Sequence, residues 1–380
     1  MNVSFVLRHS ALALALVAIC GIASAGRAPD PLANAASLVR VQAAQPLSAT
    51  VFATGLNNPR GLKFGPDGRL YVAEGGTGGA NSTVGQCDQV APDVGPYTGN
   101  RTGGRISRID SHGVRTTITT QLPSSQTSPN LGSLVSGAAD IAFIGNTMYA
   151  MIAGGGCSHG VTGRDNAIVR IGANGAPTLV ANLSTWIKAH PGSVIAPDFE
   201  PDGTWYGLVA YNGMLYATEP NQGLFVRINP STGAVTRVLD VAGSLAQHVV
   251  PTALARHGGY FYIGNLGTFP ITDGTQRVWR VLSNPTRLKV VAQGTAVLGL
   301  AFDASDNLYI LQMTSGNPNP TPGAGSIVRI RPGGGPETIV DGLTLPTAMT
   351  VGPDGALYVS HIGFGPPIPG AGQILRIALH

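Results

Sequence analysis

The sequence predicts an all-β protein, a six-bladed β-propeller, because one pattern recurs six times along the chain. Each copy has an apolar first strand, a turn rich in Gly, Asp or Asn, and a second strand with a Tyr near its start. A repeat of this kind is typical of folds in which each unit forms one blade of a ring. The equivalent apolar residues of the six first strands are Leu62, Ile141, Leu208, Leu254, Leu300 and Met349.

The later strands of each copy explain how the ring closes. A third strand with an Arg near its end follows in all six copies, and a fourth strand, such as residues 235–239, follows in five. The sixth copy ends without one, whereas residues 49–53 have fourth-strand character and precede the first repeat. We therefore expect this N-terminal strand to complete the last blade, which leaves few exposed sheet edges. The predicted propeller domain is 48–380, with residues 26–47 as a flexible leader.

Composition supports a folded domain and excludes several classes of protein. Hydrophobic residues make up 43% of the 380 residues, enough for a sizeable core, which excludes a disordered chain or a coiled coil. The formal net charge is +4, and no basic run could follow a phosphate backbone, so we expect no nucleic-acid partner. We expect the protein to be a monomer.

The first 25 residues have the features of a secretory signal peptide. Arg8 precedes the apolar run 11–22, and Ala23-Ser24-Ala25 resembles a cleavage site. A lipid anchor on Cys20 is the alternative, but Ile19 is bulkier than the residue that such a cleavage site prefers. No other segment has the ~20 apolar residues that a membrane span requires. We expect a secreted or periplasmic protein.

Two cysteines remain once the signal peptide is removed. Cys87 and Cys157 form an even pair in a compartment that permits oxidation, so a disulfide is the first hypothesis. Two free thiols are the alternative. A metal site with His159 is less favoured, because it lacks a fourth ligand.

One face of the predicted ring carries all the long connections. We call it the loop-rich face, defined by the connections from second to third strands and from each fourth strand to the next first strand. Long loops on a rigid scaffold are where function usually lies, so we expect this face to bind a ligand. The predicted long insertions are 75–104, 121–136, 153–166, 184–204, 313–325 and 362–372.

The second strands bring one equivalent residue each to the loop-rich face, three positions after the shared Tyr. Five of these six residues are polar, and together they could surround a ligand or a hard cation at the channel mouth. The alternative is that they satisfy loop backbone groups. The six residues are Glu74, Ile152, Glu219, Asn265, Gln312 and His361.

The first strands place one carboxylate among small residues near the axis. Asp140 either pairs with a cation such as Lys63 or Arg60, or helps to bind an ion. The sequence establishes no cofactor, and calcium held by Glu74, Asp140 and Glu219 is the one candidate. The equivalents of Asp140 in the other blades are Gly61, Gly207, Ala253, Gly299 and Ala348.

The sequence resembles the ScyD/ScyE family over essentially all of the mature chain. The residues that carry the resemblance are Asn58-Pro59-Arg60-Gly61-Leu62, Gly65-Pro66-Asp67-Gly68, Leu70-Tyr71-Val72-Ala73-Glu74 and the segment 352–360. The family is exported in many bacteria and is named after genes clustered with scytonemin pigment synthesis. It has no agreed reaction, so the resemblance implies the propeller fold and export rather than a chemistry.

A more distant resemblance is to NHL-repeat and gluconolactonase-type propellers. The latter are calcium-dependent lactone or ester hydrolases, whose metal site uses a Glu at the start of the first blade and an Asn-Gly-Leu segment. This chain has Arg60-Gly61-Leu62 and Tyr206-Gly207-Leu208 instead. Arg60 and Tyr206 therefore join the candidate ligand-binding residues rather than the metal ligands.

Two functions from different classes follow. The first is an exported propeller that binds a small molecule, glycan or protein without catalysis. The second is a metal-assisted lactonase or ester hydrolase, in which His361 or His159 moves a proton. No motif for a serine nucleophile, a zinc protease, a phosphate loop or a dinucleotide site occurs in the sequence.

Overall fold

The computed structural model describes residues 47–283 and 286–379. The predicted signal peptide, the alternative anchor at Cys20 and residues 26–46 of the predicted leader lie outside these residues. No helix among the described residues is long and apolar enough to cross a membrane.

The described residues form six antiparallel sheets arranged as the blades of a propeller, which confirms the predicted fold. In chain order, the structure begins with β1 (Ala49–Leu56). Blade 1 contains β2 (Pro59–Phe64), β3 (Leu70–Glu74), β4 (Thr98–Ile109), β5 (Arg115–Gln126) and β6 (Val135–Ser136). Blade 2 contains β7 (Ala138–Ile144), β8 (Thr147–Ile152), β9 (Ala167–Ile171) and β10 (Pro177–Asn182). Blade 3 contains β11 (Leu208–Tyr211), β12 (Met214–Glu219), β13 (Leu224–Ile228) and β14 (Val235–Asp240).

The second half of the ring repeats the four-stranded plan. Blade 4 contains β15 (Pro251–His257), β16 (Tyr260–Asn265), β17 (Gln276–Ser283) and β18 (Thr286–Gly294). Blade 5 contains β19 (Val297–Phe302), β20 (Leu308–Gln312), β21 (Gly325–Ile330) and β22 (Pro336–Leu343). Blade 6 contains β23 (Ala348–Val351), β24 (Leu357–His361), β25 (Gly372–Ile377) and β1.

The sixth blade combines strands from both ends of the described chain. β1 pairs antiparallel with β25, from Ala49 opposite Ile377 to Leu56 opposite Gly372. Each first strand also contacts the first strand of the next blade, and β23 contacts β2, so the inner ring is continuous.

The hydrophobic core lies between neighbouring blades, so each blade is buried on both faces. In β12, Leu215 and Ala217 pack in the cluster that contains Ile168 of blade 2. Tyr216 between them packs on the other side, with its ring centroid 4.4 Å from that of Phe261 in blade 4. Successive residues of a strand point to opposite faces, which is why these strands are apolar throughout rather than alternately polar.

The long connections lie on the loop-rich face, and the opposite face carries short turns. The long connections of the described chain are 75–97, 153–166, 183–207, 241–250, 266–275, 313–324 and 362–371. The blade 2 to blade 3 connection includes α1 (Leu183–Ala189), and α2 (Val241–Leu245) lies between blades 3 and 4. Short 3-10 helices cover Pro129–Leu131 and Cys157–His159.

Blade 1 differs from the prediction in the length of its outer hairpin. Residues 98–104 and 121–126 were expected to be loop, but they belong to β4 and β5, which are 12 residues long each. The two strands stay paired through three register shifts, for example between Gly104 and Ile106. Such bulges allow a glycine-rich stretch to remain in a sheet.

Candidate functional site

The polar residues at the ends of the second strands contact the segments that lead into their own blades. Glu74 accepts a hydrogen bond from the Asn57 amide at 2.6 Å, and Glu219 accepts one from the Thr204 amide at 2.7 Å. In the same position of the later blades, the hydrogen bonds join Asn265 Nδ2 to the Val249 carbonyl at 2.8 Å, Gln312 Oε1 to the Thr295 amide at 2.6 Å, and His361 Nε2 to the Thr344 amide at 2.8 Å. Ile152, the apolar member, is buried.

Second contacts occupy more of these polar atoms. Glu74 is fully buried and accepts hydrogen bonds from Arg105 Nε at 2.8 Å and Arg105 Nη2 at 2.6 Å. Asn265 Oδ1 accepts from the Arg277 amide, and Gln312 Nε2 donates to Ser326 Oγ. These contacts match the alternative in which the residues satisfy backbone groups of the loops. A ligand-binding role for them remains a prediction.

Burial changes the protonation of two members of this set. It raises the pKa of Glu219 to about 8, with a smaller contribution from the Glu200 carboxylate, while hydrogen bonds from the Thr204 and Gln222 amides lower it. Burial lowers the pKa of His361, and its side-chain interaction with Gln373 raises it by less. The His361 ring is therefore neutral at pH 7, and its Nε2 accepts the Thr344 N–H.

Asp140 lies at the centre of the ring and contacts three blades. Its Oδ2 is 3.5 Å from Lys63 Nζ of blade 1 and accepts a hydrogen bond from the Leu208 amide of blade 3 at 2.8 Å. The predicted pairing with Lys63 is confirmed. Burial raises the pKa of Asp140, and the charge of Lys63 lowers it. Gly61 has no side chain here because a Cβ would overlap the Asp140 carboxylate.

The channel beside Asp140 is narrow. Asp140, Lys63 and Tyr206 line a cavity of about 30 Å³ together with small and apolar residues of the first strands. A cavity of this size holds about one or two water molecules rather than an organic ligand. A larger ligand does not fit this cavity.

Tyr206 closes the channel at the loop-rich face. It precedes the first strand of blade 3, yet its hydroxyl donates to the Thr347 carbonyl at the start of blade 6, 2.6 Å away. Blades 3 and 6 are opposite each other in a ring of six, so the side chain crosses the axis. Burial raises the pKa of Tyr206 far above its ordinary value, and the adjacent Arg60 lowers it.

Arg60 lies beside Tyr206 at the same mouth. Its Nη2 donates to the Val135 carbonyl, and its guanidinium carbon is 5.7 Å from the ring centroid of Phe364. Burial lowers the pKa of Arg60, and the Tyr206 hydroxyl raises it. The structure therefore brings Arg60 and Tyr206 together at the axis, while the other candidate ligand-binding residues contact the surrounding loops.

A second polar cluster on the loop-rich face joins residues from blades 1 to 3. His159 Nε2 lies 3.2 Å from Glu200 Oε2, and the Tyr97 hydroxyl donates to Glu200 Oε1 at 3.3 Å. All three residues are at most 6% exposed. Sequence reasoning selected His159 but missed Tyr97 and Glu200, which lie in irregular connections. Glu200 immediately precedes the turn Pro201-Asp202-Gly203.

The cluster is held in place by a disulfide and an ion pair. Cys87 and Cys157 are bonded, as predicted, and tie the segment 75–97 to the segment that contains His159. Asp202 accepts hydrogen bonds from the amide and hydroxyl of Ser158 and pairs with Lys188 Nζ at 2.7 Å. His159 is thus fixed from both sides.

The carboxylates proposed as cation ligands do not converge. Glu74, Asp140 and Glu219 each accept hydrogen bonds from different partners in their own surroundings. Within 47–283 and 286–379, no three His, Cys, Asp or Glu side chains are grouped so as to hold a metal ion. These residues do not fit a calcium site in this arrangement.

The fold defines the class of protein, and comparison with solved structures agrees. The chain is similar to an oxidoreductase (glucose dehydrogenase) of Thermus thermophilus, with 20% identity, a TM-score of 0.53, and coverage of 87% of this chain and 100% of that one. It is also similar to the PQQ-bound aldose sugar dehydrogenase of Streptomyces coelicolor (17%, TM-score 0.51, 88% and 99%) and to regucalcin, a calcium-binding protein of Agrobacterium tumefaciens (14%, TM-score 0.50, 87% and 95%).

At these identities the similarity shows the six-bladed propeller fold alone. No family model and no curated protein matches the sequence.

Proposed function

We propose that this protein is an exported β-propeller of the ScyD/ScyE type that binds a small molecule, glycan or protein at the centre of its loop-rich face. The residues 58–62 and 352–360 support the family assignment. The features of residues 1–25 and the Cys87–Cys157 disulfide support export, because such bonds persist in oxidising compartments.

One observation carries the proposal: Arg60 and Tyr206 meet at the axis of the face that bears the long connections. The Tyr206 side chain reaches across to blade 6 and lines the narrow cavity, so the mouth carries a cation and an aromatic ring. Binding sites commonly combine an apolar surface with a few fixed polar groups, and this mouth has both.

Crystallographic fragment screening tests this assignment and does not require the ligand to be identified first. We expect bound fragments to concentrate at the channel mouth and to contact Arg60 or Tyr206. Fragments concentrated on the short-turn face, or only in the groove of about 290 Å³ beside Thr321 and Asp341, would contradict the proposal.

A second candidate function is lactone or ester hydrolysis. It is favoured by the contact of His159 with Glu200, because a carboxylate beside an imidazole orients the ring for proton transfer. The test is hydrolysis of D-glucono-1,5-lactone, measured as the acid that is released at constant pH. If the protein is a hydrolase, we expect the wild-type protein to turn over the lactone. We expect His159→Gln to abolish this activity and the exposed control His112→Gln to leave it unchanged. A wild-type rate equal to that of buffer alone rejects this function.

A further inference from the structure

Arg60 has a charge that the described protein does not neutralise. None of the ion pairs within 47–283 and 286–379 includes Arg60. Elsewhere the chain does pair a partly buried guanidinium with a carboxylate, as in Arg105 with Glu74 and Arg329 with Glu337. A charge withdrawn from water without a counter-ion is unfavourable, so an anion at this position would be stabilised.

The guanidinium also has donors left for a ligand. An arginine has five N–H groups in a planar fork, and the hydrogen bond to the Val135 carbonyl uses one of them. The planar fork matches a carboxylate, which can accept two parallel hydrogen bonds. Tyr206 beside Arg60 donates to the Thr347 carbonyl and therefore does not supply the missing negative charge.

The surroundings of Arg60 are apolar rather than acidic. Phe364 lies over the guanidinium and is partly buried in a cluster at the mouth. This cluster consists of Ile271, Ala296, Leu298 and Met313, with Tyr206, Leu266 and Phe364 packed against it. The four core residues are buried, so a ligand that reaches Arg60 would contact the partly buried Phe364 and Tyr206 rather than an acidic group.

We propose that the channel mouth binds a small carboxylate with an apolar or aromatic body, whose carboxylate pairs with Arg60 and whose body packs against Phe364. This inference rests on the proposed function and names the chemical class of its ligand. Charge complementarity favours a carboxylate over a neutral sugar, because a sugar would leave the guanidinium without a counter-ion.

Benzoate and benzyl alcohol form a matched pair of probes that differ in charge and share the aromatic ring. We expect saturation-transfer NMR titrations of the wild-type protein to give an affinity for benzoate at least about tenfold higher than for benzyl alcohol, as expected for a charge-assisted hydrogen bond. This comparison needs no variant and is therefore independent of folding defects.

Arg60→Met keeps an unbranched, flexible side chain and removes the guanidinium with its charge. We expect this variant to bind benzoate at least about tenfold more weakly and benzyl alcohol unchanged. Arg69→Met is the control, since Arg69 is on a turn of the opposite face and its side chain is 48% exposed. Thermal melting verifies that both variants are folded.

The outcomes separate this inference from the proposed function. Equal affinity for the two probes, or benzoate binding that survives Arg60→Met, overturns the carboxylate class but leaves a binding mouth in place. Absence of benzoate binding also overturns it. If fragments in addition avoid the loop-rich face, the proposed function fails as well.

Discussion

Asp140 shows how one buried residue organises the centre of the ring. It belongs to blade 2, pairs with Lys63 of blade 1 and accepts the Leu208 amide of blade 3. Gly61 provides the space for its carboxylate. A buried carboxylate is tolerated only when its charge and lone pairs are satisfied, and three blades contribute to that here.

We predict that Gly61→Ala destabilises the protein by about 1 to 3 kcal/mol, because the new methyl group displaces the Asp140 carboxylate from its partners. Urea denaturation measures the free energy of unfolding. Gly335→Ala is the control, since no atom lies within 4 Å of a Cβ built there. Equal destabilisation by the two substitutions would refute this role of Gly61.

The raised pKa of Glu219 leads us to expect that the free energy of unfolding depends on pH. Its pKa is about 8 in the folded protein because of burial, against an ordinary value of 4.5. The folded state therefore binds more protons than the unfolded state between these values, so stability decreases as the pH rises from about 4.5 to about 8. One such group gives a slope of up to about 1.4 kcal/mol per pH unit.

We expect Glu219→Gln to lack this contribution, so that the wild-type protein loses stability relative to the variant across that pH range. Urea denaturation at several pH values measures the difference. Glu337→Gln is the control, because hydrogen bonding to Arg329 lowers the pKa of Glu337 and its titration falls below the range. Parallel pH profiles for wild type and Glu219→Gln would show that Glu219 is not protonated at neutral pH.

The positions of some site residues could be predicted from the sequence, whereas the long-range contacts of others could not. The position of Asp140 followed from the repeat, since first strands line the axis and the equivalents are small. The reach of Tyr206 across the axis to Thr347 depends on the diameter of the ring, which no local pattern contains. Tyr97 and Glu200 meet through two long connections, and their contact depends on the path of each.

At the scale of elements, β1 links the start of the described chain to blade 6. Ala53 is 4% exposed and packs in the cluster with Leu62 and Tyr358, whereas Val51 on the same strand is 56% exposed. The inward face of β1 therefore takes part in the core between blades 6 and 1. Its pairing with β25 covers an edge that would otherwise be open to other chains.

We predict that Ala53→Asp destabilises the protein by about 3 kcal/mol or more, because it buries a charge without a partner. Val51→Asp places the same charge on the exposed side of β1 and should change stability by less than about 0.5 kcal/mol. Thermal and urea unfolding of the two variants measure the contrast. Similar stability of the two variants would mean that β1 is not packed as described.

The helices and strand extensions that could not be predicted from the sequence are short or irregular. The second strands followed from the repeated Tyr and the apolar run, because β structure buried on both faces has a continuous hydrophobic signal. α1 has only seven residues, too few for a helical periodicity to stand out in the sequence. It forms a helix because Asn182 caps it and Leu183 and Ile187 are buried. The extended hairpin of β4 and β5 contains glycines and a proline that favour loops in isolation.

At the scale of the whole molecule, side chains at the inner ring join one blade to the next. Thr252 Oγ1 of blade 4 donates to the Val297 carbonyl of blade 5 at 2.6 Å. Thr347 Oγ1 of blade 6 donates to the Pro59 carbonyl of blade 1 at 2.6 Å. These hydrogen bonds, with those of Asp140 and Tyr206, fix the first strands relative to one another and hold the floor of the channel mouth in one arrangement.

Hydrogen exchange of the whole chain with and without benzoate, read by mass spectrometry, shows directly whether the channel mouth binds a ligand. We predict slower exchange in segments 57–62, 204–208 and 362–366, which surround the mouth, and no change in the turns of the opposite face. Protection confined to those turns would contradict the assignment of the loop-rich face as the ligand-binding surface, and exchange unchanged throughout would contradict the carboxylate class of ligand.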